Sequence, residues 1–282
     1  MASEDLNPWA LMPLPWRFCF EVTRLPMQGQ GSLRLLHGQT SQALLDLAPG
    51  QQRSTCCLNA TAWLFALGEV SATVDGAELL ITAGVGAEVY RALDRVIFPA
   101  DQVHLQQPEQ LIWHGLVEAE GPPNQAGWGL PGRHWLLPPE APLPEALQLV
   151  KQLTASEQEW LRFRQGIPAV PGELNAGLNP FELGLAERVS LEKGCYLGQE
   201  TLAKLQSRSG LKQQLRRFYA PPGVDIPETG AKLFGPGGER AGTVSSCQAN
   251  WGLALIRRDW WQCQELAGVQ LSLPEAVLFN SQ

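Results

Sequence analysis

Short hydrophobic runs separated by turn residues dominate the first hundred positions of the chain. Their alternation predicts five strands, at residues 18–25, 54–58, 61–67, 70–74 and 78–82. Asp75-Gly76 is a good hairpin turn between the last two. Residues 31–47 predict two short helical pieces that divide at Gly38. Apolar residues with helical spacing predict a further helix over residues 85–97.

The second half of the chain changes from helical to strand-like patterns. Residues 143–153 predict a helix, and Ser156 to Glu159 form a capping box that opens another, which Gly166 ends. Between proline-rich and glycine-rich loops, residues 111–117 and 134–137 predict strands. The last part of the chain predicts five more, at 215–220, 232–234, 241–246, 252–256 and 269–273. These short strands suit a small C-terminal β-barrel or sandwich.

The composition describes a folded protein, since 44% of the residues are hydrophobic and 17% are charged. A length of 282 residues allows two or three packed units. The net charge of −7 argues against non-specific nucleic-acid binding. No apolar run approaches the roughly 18 residues of a membrane span. The N-terminus lacks the basic start and apolar core of a signal peptide, so we expect a cytoplasmic protein.

The six cysteines include no Cys-x-x-Cys pair, and no histidine lies at zinc-site spacing from them. We therefore expect no metal site, no stable disulfide and no iron–sulfur cluster held by the chain itself.

Residues 193–200, Lys-Gly-Cys-Tyr-Leu-Gly-Gln-Glu, combine two glycines, a thiol, an aromatic ring, an amide and both signs of charge. Good helix formers follow, so this octet is predicted to be a loop that runs into a helix N-terminus. The positive end of the helix dipole and the nearby Lys193 would favour a thiolate. Cys195 is therefore a candidate catalytic thiol. The alternative is a small buried cysteine in a tight loop.

The octet resembles the signature of the YgfZ family, the folate-binding relatives of the glycine-cleavage T-protein. The family's run before that signature is similar to residues 163–168, 172–174, 179–185 and 189–190. Its N-terminal signature is similar to residues 36–40, and its C-terminal signature is similar to residues 240–246 and 252–255. The resemblance thus extends over nearly the whole chain.

This resemblance implies an α+β, T-protein-like fold, with two related α+β units around a central folate-sized opening and a C-terminal β-barrel. We place the units at residues 1–108 and 109–210, the second carrying the octet, and the barrel at 211–282. The implied function is that of a tetrahydrofolate-binding accessory factor, which supports assembly or repair of iron–sulfur clusters in client enzymes. Tetrahydrofolate or a folate derivative is then the cofactor, and iron–sulfur client or assembly proteins are the partners.

Folate carries a flat pterin and an anionic glutamate tail, so its site needs an apolar slot and nearby cations. We expect contacts from the octet and the helix after it, at Lys193, Gly194, Tyr196, Gly198, Gln199, Glu200, Lys204 and Arg208. The alternative is that the cations form a solvated helix face and that Gln199 and Glu200 cap backbone donors. The two glycines are best explained as backbone requirements.

Two departures from the T-protein pattern bear on the reaction. T-proteins bind the pterin through an acidic residue in a run that aligns with Arg164-Gln165-Gly166 of this chain. A second acidic residue of T-proteins, an aspartate near their N-terminal Asn-Ala-x-Asn run, has no clear counterpart in residues 79–84. Both losses weaken the alternative of a folate-dependent aminomethyl or methyl transferase or demethylase. We expect no T-protein aminomethyltransferase activity and no conventional enzyme. A redox protein that uses Cys195 alone and a protein-binding scaffold remain further alternatives.

Overall fold

The computed structural model describes residues 7–119, 121–122, 124–207 and 210–277. The strands are β1 (Trp16–Gln28), β2 (Gln52–Leu58), β3 (Leu64–Ala72), β4 (Gly76–Gly84), β5 (His104–Leu105), β6 (Glu109–Val117), β7 (Arg133–Leu137), β8 (Lys151–Gln152), β9 (Gln213–Tyr219), β10 (Lys232–Phe234), β11 (Arg240–Gln248), β12 (Trp251–Arg257), β13 (Glu265–Leu266) and β14 (Val269–Ser272). The α-helices are α1 (Ser32–Gln39), α2 (Gly86–Asp94), α3 (Glu145–Gln148), α4 (Ala155–Gln165) and α5 (Gln199–Ser207). This mixture confirms the predicted α+β class. Within the described ranges, no helix has the length and apolar character that crossing a membrane requires.

The chain forms two compact units, and neither is a single segment of sequence. The first unit combines residues 7–20 with Trp113–Ile167 and Gln213–Val277. The second combines Glu21–Ile112 with the described part of Pro168–Lys212, and therefore carries the octet. The division into three consecutive segments at 1–108, 109–210 and 211–282 stays a prediction.

The larger sheet has eight strands. Its main path is β2-β3-β4-β1-β6-β7, and β5 and β8 pair with β1. In the second unit, β2, β3 and β4 form an antiparallel meander, with the predicted turn at Asp75 between β3 and β4. The buried face of the meander packs against apolar residues of α1 and α2, among them Leu36, Val89 and Leu93. This core fixes α1, whose C-terminal end becomes part of the candidate site.

The smaller sheet lies in the first unit and has six antiparallel strands in the order β10-β11-β12-β9-β14-β13. Phe218, Val244 and Ile256 lie in its core. All five strands predicted for the last part of the chain lie in this sheet, so the predicted strand-rich C-terminal region is confirmed.

Of the two helical pieces predicted for residues 31–47, the structure has one helix, and the second piece is absent. α1 continues through Gly38, and the segment after Gln39 is not helical. Leu35 and Leu36 pack into the core from this helix. Their burial outweighs the roughly 1 kcal/mol that a glycine costs inside a helix.

A second prediction that was wrong at a glycine concerns the meander. β3 is one strand through Gly68, where two strands were expected. The Gly68 backbone pairs with Thr55 on one side and with Ile81 on the other. The ladder with β2 continues across it, and the ladder with β4 continues after a register shift between Leu67 and Gly68. A Cβ atom at this position would lie 2.7 Å from the Leu79 side chain. The glycine therefore makes room for a core leucine and does not end the strand.

Most of the helix predicted over residues 143–153 is absent. Only the four residues of α3 are helical, and β8 follows three positions later. β8 pairs in parallel with the start of β1, Lys151 opposite Trp16 and Gln152 opposite Arg17. This long-range pairing overrides the local helical pattern.

The cap of α4 lies two residues before the predicted one. The hydroxyl of Thr154 accepts a hydrogen bond from the amide of Glu157 at 3.2 Å, and the Glu157 carboxylate accepts from the Thr154 amide at 2.7 Å. This is a capping box, whereas the predicted cap, Ser156, is exposed inside the first turn. Gly166 ends the helix as predicted, with a φ of 73°.

The position of this cap can be tested by two matched substitutions. We expect Thr154→Ala to lower the free energy of unfolding by about 1 kcal/mol, because the Glu157 amide loses its acceptor. Ser156→Ala should change it by less than about 0.5 kcal/mol, as exposed substitutions usually do. Urea unfolding followed by circular dichroism measures both values. A larger effect at Ser156 than at Thr154 would contradict the assigned cap.

Candidate functional site

The octet forms a loop that leads into a helix, as the sequence predicted. Residues 193–198 are loop, and α5 begins at Gln199. Gly198 adopts a φ of +84°, a conformation that favours glycine. A Cβ atom on Gly198 would lie 2.8 Å from the Cα atom of Ala62, so the loop also approaches the backbone closely here. Within the described part of the chain, no neighbouring atom lies within 4 Å of a Cβ atom on Gly194.

Lys193 points into the second unit, and only 9% of the residue is exposed. Its ammonium donates hydrogen bonds to the backbone carbonyl oxygens of Thr40 at 2.6 Å, of Gln42 at 2.9 Å, and of His37. The same nitrogen lies 4.4 Å from the centroid of the Tyr196 ring, a cation–π contact. The cation that was expected to reach a ligand is thus engaged with the end of α1.

Two opposing effects act on the charge of Lys193. Burial lowers its pKa to about 7. Three hydrogen bonds to carbonyl oxygens, however, require the protonated amine, because a neutral amine has only two N–H donors. The observed geometry is therefore that of the ammonium, which the carbonyl oxygens and the ring stabilise against desolvation.

The other end of the octet is held from within by Gln199. Its side-chain amide donates to the carbonyl oxygens of Leu191 and Lys193, both at 3.1 Å. The polar end that could have bound a ligand therefore closes the loop on itself. Between these two inward-facing residues, Cys195 is exposed. The loop thus presents a thiol to solvent on a backbone that is anchored at both ends.

The remaining predicted site residues lie along α5. Lys204 and Glu200 form an exposed ion pair at 3.7 Å, one helical turn apart. Their side chains are 66% and 92% exposed. The contact expected from Arg208 lies outside the described residues.

A buried polar cluster beside the octet was not assigned from the sequence. The Ser41 hydroxyl bonds to the Arg188 carbonyl oxygen and accepts the Cys56 amide at 2.9 Å. Burial raises the pKa of Cys56 to about 11, and burial and the nearby Cys56 raise that of Tyr196 to about 12. The Tyr196 hydroxyl and Arg188 Nη1 are buried without a hydrogen-bond partner among the described residues. Nothing in the local sequence marks Ser41 or Arg188.

Arg164, at the position where the resemblance to T-proteins led us to expect an acid, is a structural residue of the first unit. Its Nε donates to the carbonyl oxygen of Trp9 at 2.9 Å, and its Nη2 lies 3.7 Å from Glu275. Arg217 binds the same carboxylate at 3.0 Å and covers the Trp9 ring. The neighbouring Gln165 is 2% exposed. This segment therefore ties the N-terminal residues to the C-terminal ones.

The fold is that of an aminomethyltransferase. The chain is similar to the crystal structure of glycine cleavage system aminomethyltransferase T from Bartonella henselae, with a TM-score of 0.72. The likeness covers 94% of this chain and 87% of that one, at 16% sequence identity. The T-protein-like fold predicted from the sequence is therefore confirmed.

Three sequence relatives carry names that refer to a function. The chain is 46% identical over 79 residues to a putative chloroplastic transferase of Arabidopsis thaliana, and 34% identical over 100 residues to the mitochondrial iron–sulfur cluster assembly factor IBA57 of Homo sapiens. It is 33% identical over 105 residues to an aminomethyltransferase of Caldanaerobacter subterraneus.

These alignments are partial. They cover 27%, 34% and 35% of this chain and 18%, 28% and 27% of the respective relatives. No protein-family model matches the chain. The relatives nevertheless include both an iron–sulfur assembly factor and an aminomethyltransferase, which supports the resemblance stated from the sequence.

Proposed function

We propose that this protein is a tetrahydrofolate-binding accessory factor that supports assembly or repair of iron–sulfur clusters in client enzymes, with Cys195 as its functional thiol. The observation that carries the proposal is the octet loop, in which Lys193 and Gln199 face inward while Cys195 is exposed. An exposed thiol on an anchored loop is suited to contact a partner protein or its cluster. We place this function in the cytoplasm.

The names of the relatives support this function and an aminomethyl or methyl transfer reaction alike. One of them is named as an iron–sulfur cluster assembly factor. A folate-dependent aminomethyl or methyl transferase is the second candidate, because another relative is named as an aminomethyltransferase. Arg164 argues against it, since this residue brings a positive charge, held by Trp9 and Glu275, to the position of the expected acid.

The residues present fit the folate part of the proposal only in part. The donors of Lys193 and Gln199 are engaged with backbone carbonyl oxygens, and Tyr196 is 8% exposed. These groups offer little surface to a pterin. The exposed ammonium of Lys204 fits an anionic glutamate tail. We therefore assign the tail to Lys204 and leave the pterin to residues outside the octet.

Tetrahydrofolate binding is expected to be measurable by calorimetry and as a rise in melting temperature at millimolar ligand. Lys204→Met should weaken the binding of tetrahydrofolate with three glutamates by about two- to fivefold, the usual range for an exposed ion pair. Lys212→Met is the matched control, because Lys212 is an exposed lysine outside the predicted contacts. If millimolar tetrahydrofolate produces no heat of binding and no rise in melting temperature, the proposal of folate binding is contradicted.

A further inference from the structure

We propose that Lys193 is a positioning residue: its ammonium caps the C-terminal end of α1 and thereby holds the loop that presents Cys195. This inference rests on the proposed function only in treating Cys195 as the functional thiol. The sequence analysis expected Lys193 to bind the ligand. The positioning role proposed here differs from that expectation.

The end of α1 has carbonyl oxygens that the helix itself cannot satisfy. The last four carbonyl groups of any helix lack intrahelical donors, and they carry the negative end of the helix dipole. Here the amide and the hydroxyl of Thr40 both donate to the Leu36 carbonyl oxygen, at 2.9 and 2.8 Å. The next acceptors, at His37, Thr40 and Gln42, receive the Lys193 ammonium. A cation is favoured at this position by charge and by geometry.

A second set of contacts ties the segment before the octet to the same region. The Ser190 amide donates to the carbonyl oxygen of Ser41 at 2.9 Å, and the Ser190 hydroxyl accepts the Lys193 amide at 3.3 Å. The side chain of Gln42 donates to the carbonyl oxygen of Glu187 at 2.7 Å. The loop before Cys195 is thus fastened along the segment that follows α1.

This arrangement accounts for the pairing of two distant sequence motifs. Residues 36–40 and the octet lie about 150 positions apart, yet the carbonyl oxygens of the first accept the ammonium of the second. Both motifs belong to one structural unit, in which the first supplies acceptors and the second supplies the cation. Lysine reaches them on a flexible stem as a compact charge, which a planar guanidinium would not reproduce.

The competing interpretation, direct ligand binding by Lys193, makes a different use of the same charge. It requires an ammonium with donors that remain available. The ammonium here has three carbonyl acceptors for its three donors, and an aromatic ring lies over it. The positioning role therefore agrees with the contacts, and the binding role does not.

The test compares Lys193→Met with Lys204→Met in the chain of 282 residues, without added ligand. Hydrogen exchange measured by mass spectrometry reports the order of residues 194–198 well below the melting temperature. We expect Lys193→Met to speed exchange there by about tenfold or more, because hydrogen bonds from a charged donor are lost. Lys204→Met should leave this exchange unchanged. If Lys193→Met does not fold, Lys193→Gln, which keeps an N–H donor, is measured in the same way.

Client-enzyme activity in cells supplies the functional half of the test. Lys193→Met should lower it towards the level of a Cys195→Ala strain, although the thiol is still present. Wild-type exchange in the Lys193 variant, together with weakened tetrahydrofolate binding, would overturn the positioning role in favour of ligand binding. Faster exchange with unaffected client enzymes would keep the structural role of Lys193 and instead contradict the proposed function of Cys195. The two failures are therefore distinguishable.

Discussion

Replacing Gly198 with alanine will destabilise the protein by about 2–5 kcal/mol. An alanine at a φ of +84° costs about 1–2 kcal/mol in backbone strain. The added Cβ atom would also lie 2.8 Å from the Cα atom of Ala62, a backbone atom that cannot rotate away. Overpacking of this kind costs typically about 1–3 kcal/mol more. The free energy of unfolding from urea titration measures the sum.

Gly194→Ala is the control within the same octet. Among the described residues, no neighbouring atom lies within 4 Å of a Cβ atom built there, and Gly194 is not among the residues with positive φ. We expect a change of less than about 0.5 kcal/mol, as for other exposed substitutions. Equal effects of the two substitutions would show that the close approach of Gly198 to Ala62 does not support the loop.

Cys195→Ala is expected to impair iron–sulfur client enzymes severalfold in cells while the melting temperature stays nearly unchanged. The thiol is exposed, so its removal leaves no cavity and should alter the free energy of unfolding by less than about 0.5 kcal/mol. Cys195→Ser retains a hydrogen-bonding group without thiolate chemistry, and should be equally inactive. Client activity is measured in a strain that lacks the chromosomal copy.

Alkylation of the purified protein provides an independent measurement of the same thiol. Cys195 should react faster with iodoacetamide at neutral pH than the other five cysteines. Burial raises the pKa of Cys56 to about 11 and that of Cys57 to about 12, so these thiols stay protonated and covered. Cys247 and Cys263 are half-buried and make the closer comparison. Equal rates at Cys195 and these two, with clients unaffected by the alanine substitution, would contradict a functional thiol.

Most of the longer strands were predictable, because turn residues separate their short hydrophobic runs. The errors arose where burial outweighs local propensity. Gly38 and Gly68 were expected to interrupt their elements, but α1 and β3 continue through them on the strength of core packing and ladder pairing. The cap of α4 was expected at Ser156 with Glu159, whereas Thr154, two residues earlier, pairs with Glu157.

The local structure of the octet, a loop that leads into a helix, was also predictable, because good helix formers follow it directly. The direction of its side chains was not. Whether Lys193 reaches a ligand or a carbonyl oxygen depends on residues that lie some 150 positions earlier. The same distance hides the contact of Ser41 with Arg188. Sequence patterns record the need for a lysine, whereas its partners emerge only from the fold.

The separation between Lys193 and its acceptors has a consequence for biosynthesis. The ammonium and the His37 carbonyl oxygen are 156 positions apart in the chain. At about 5–20 residues per second, the ribosome needs about 10–30 seconds to cover that interval. During this time the finished end of α1 depends on water for its hydrogen bonds. Because contacts of such long range also form slowly, the segment that carries the thiol becomes ordered late, after most of its own unit has left the ribosome.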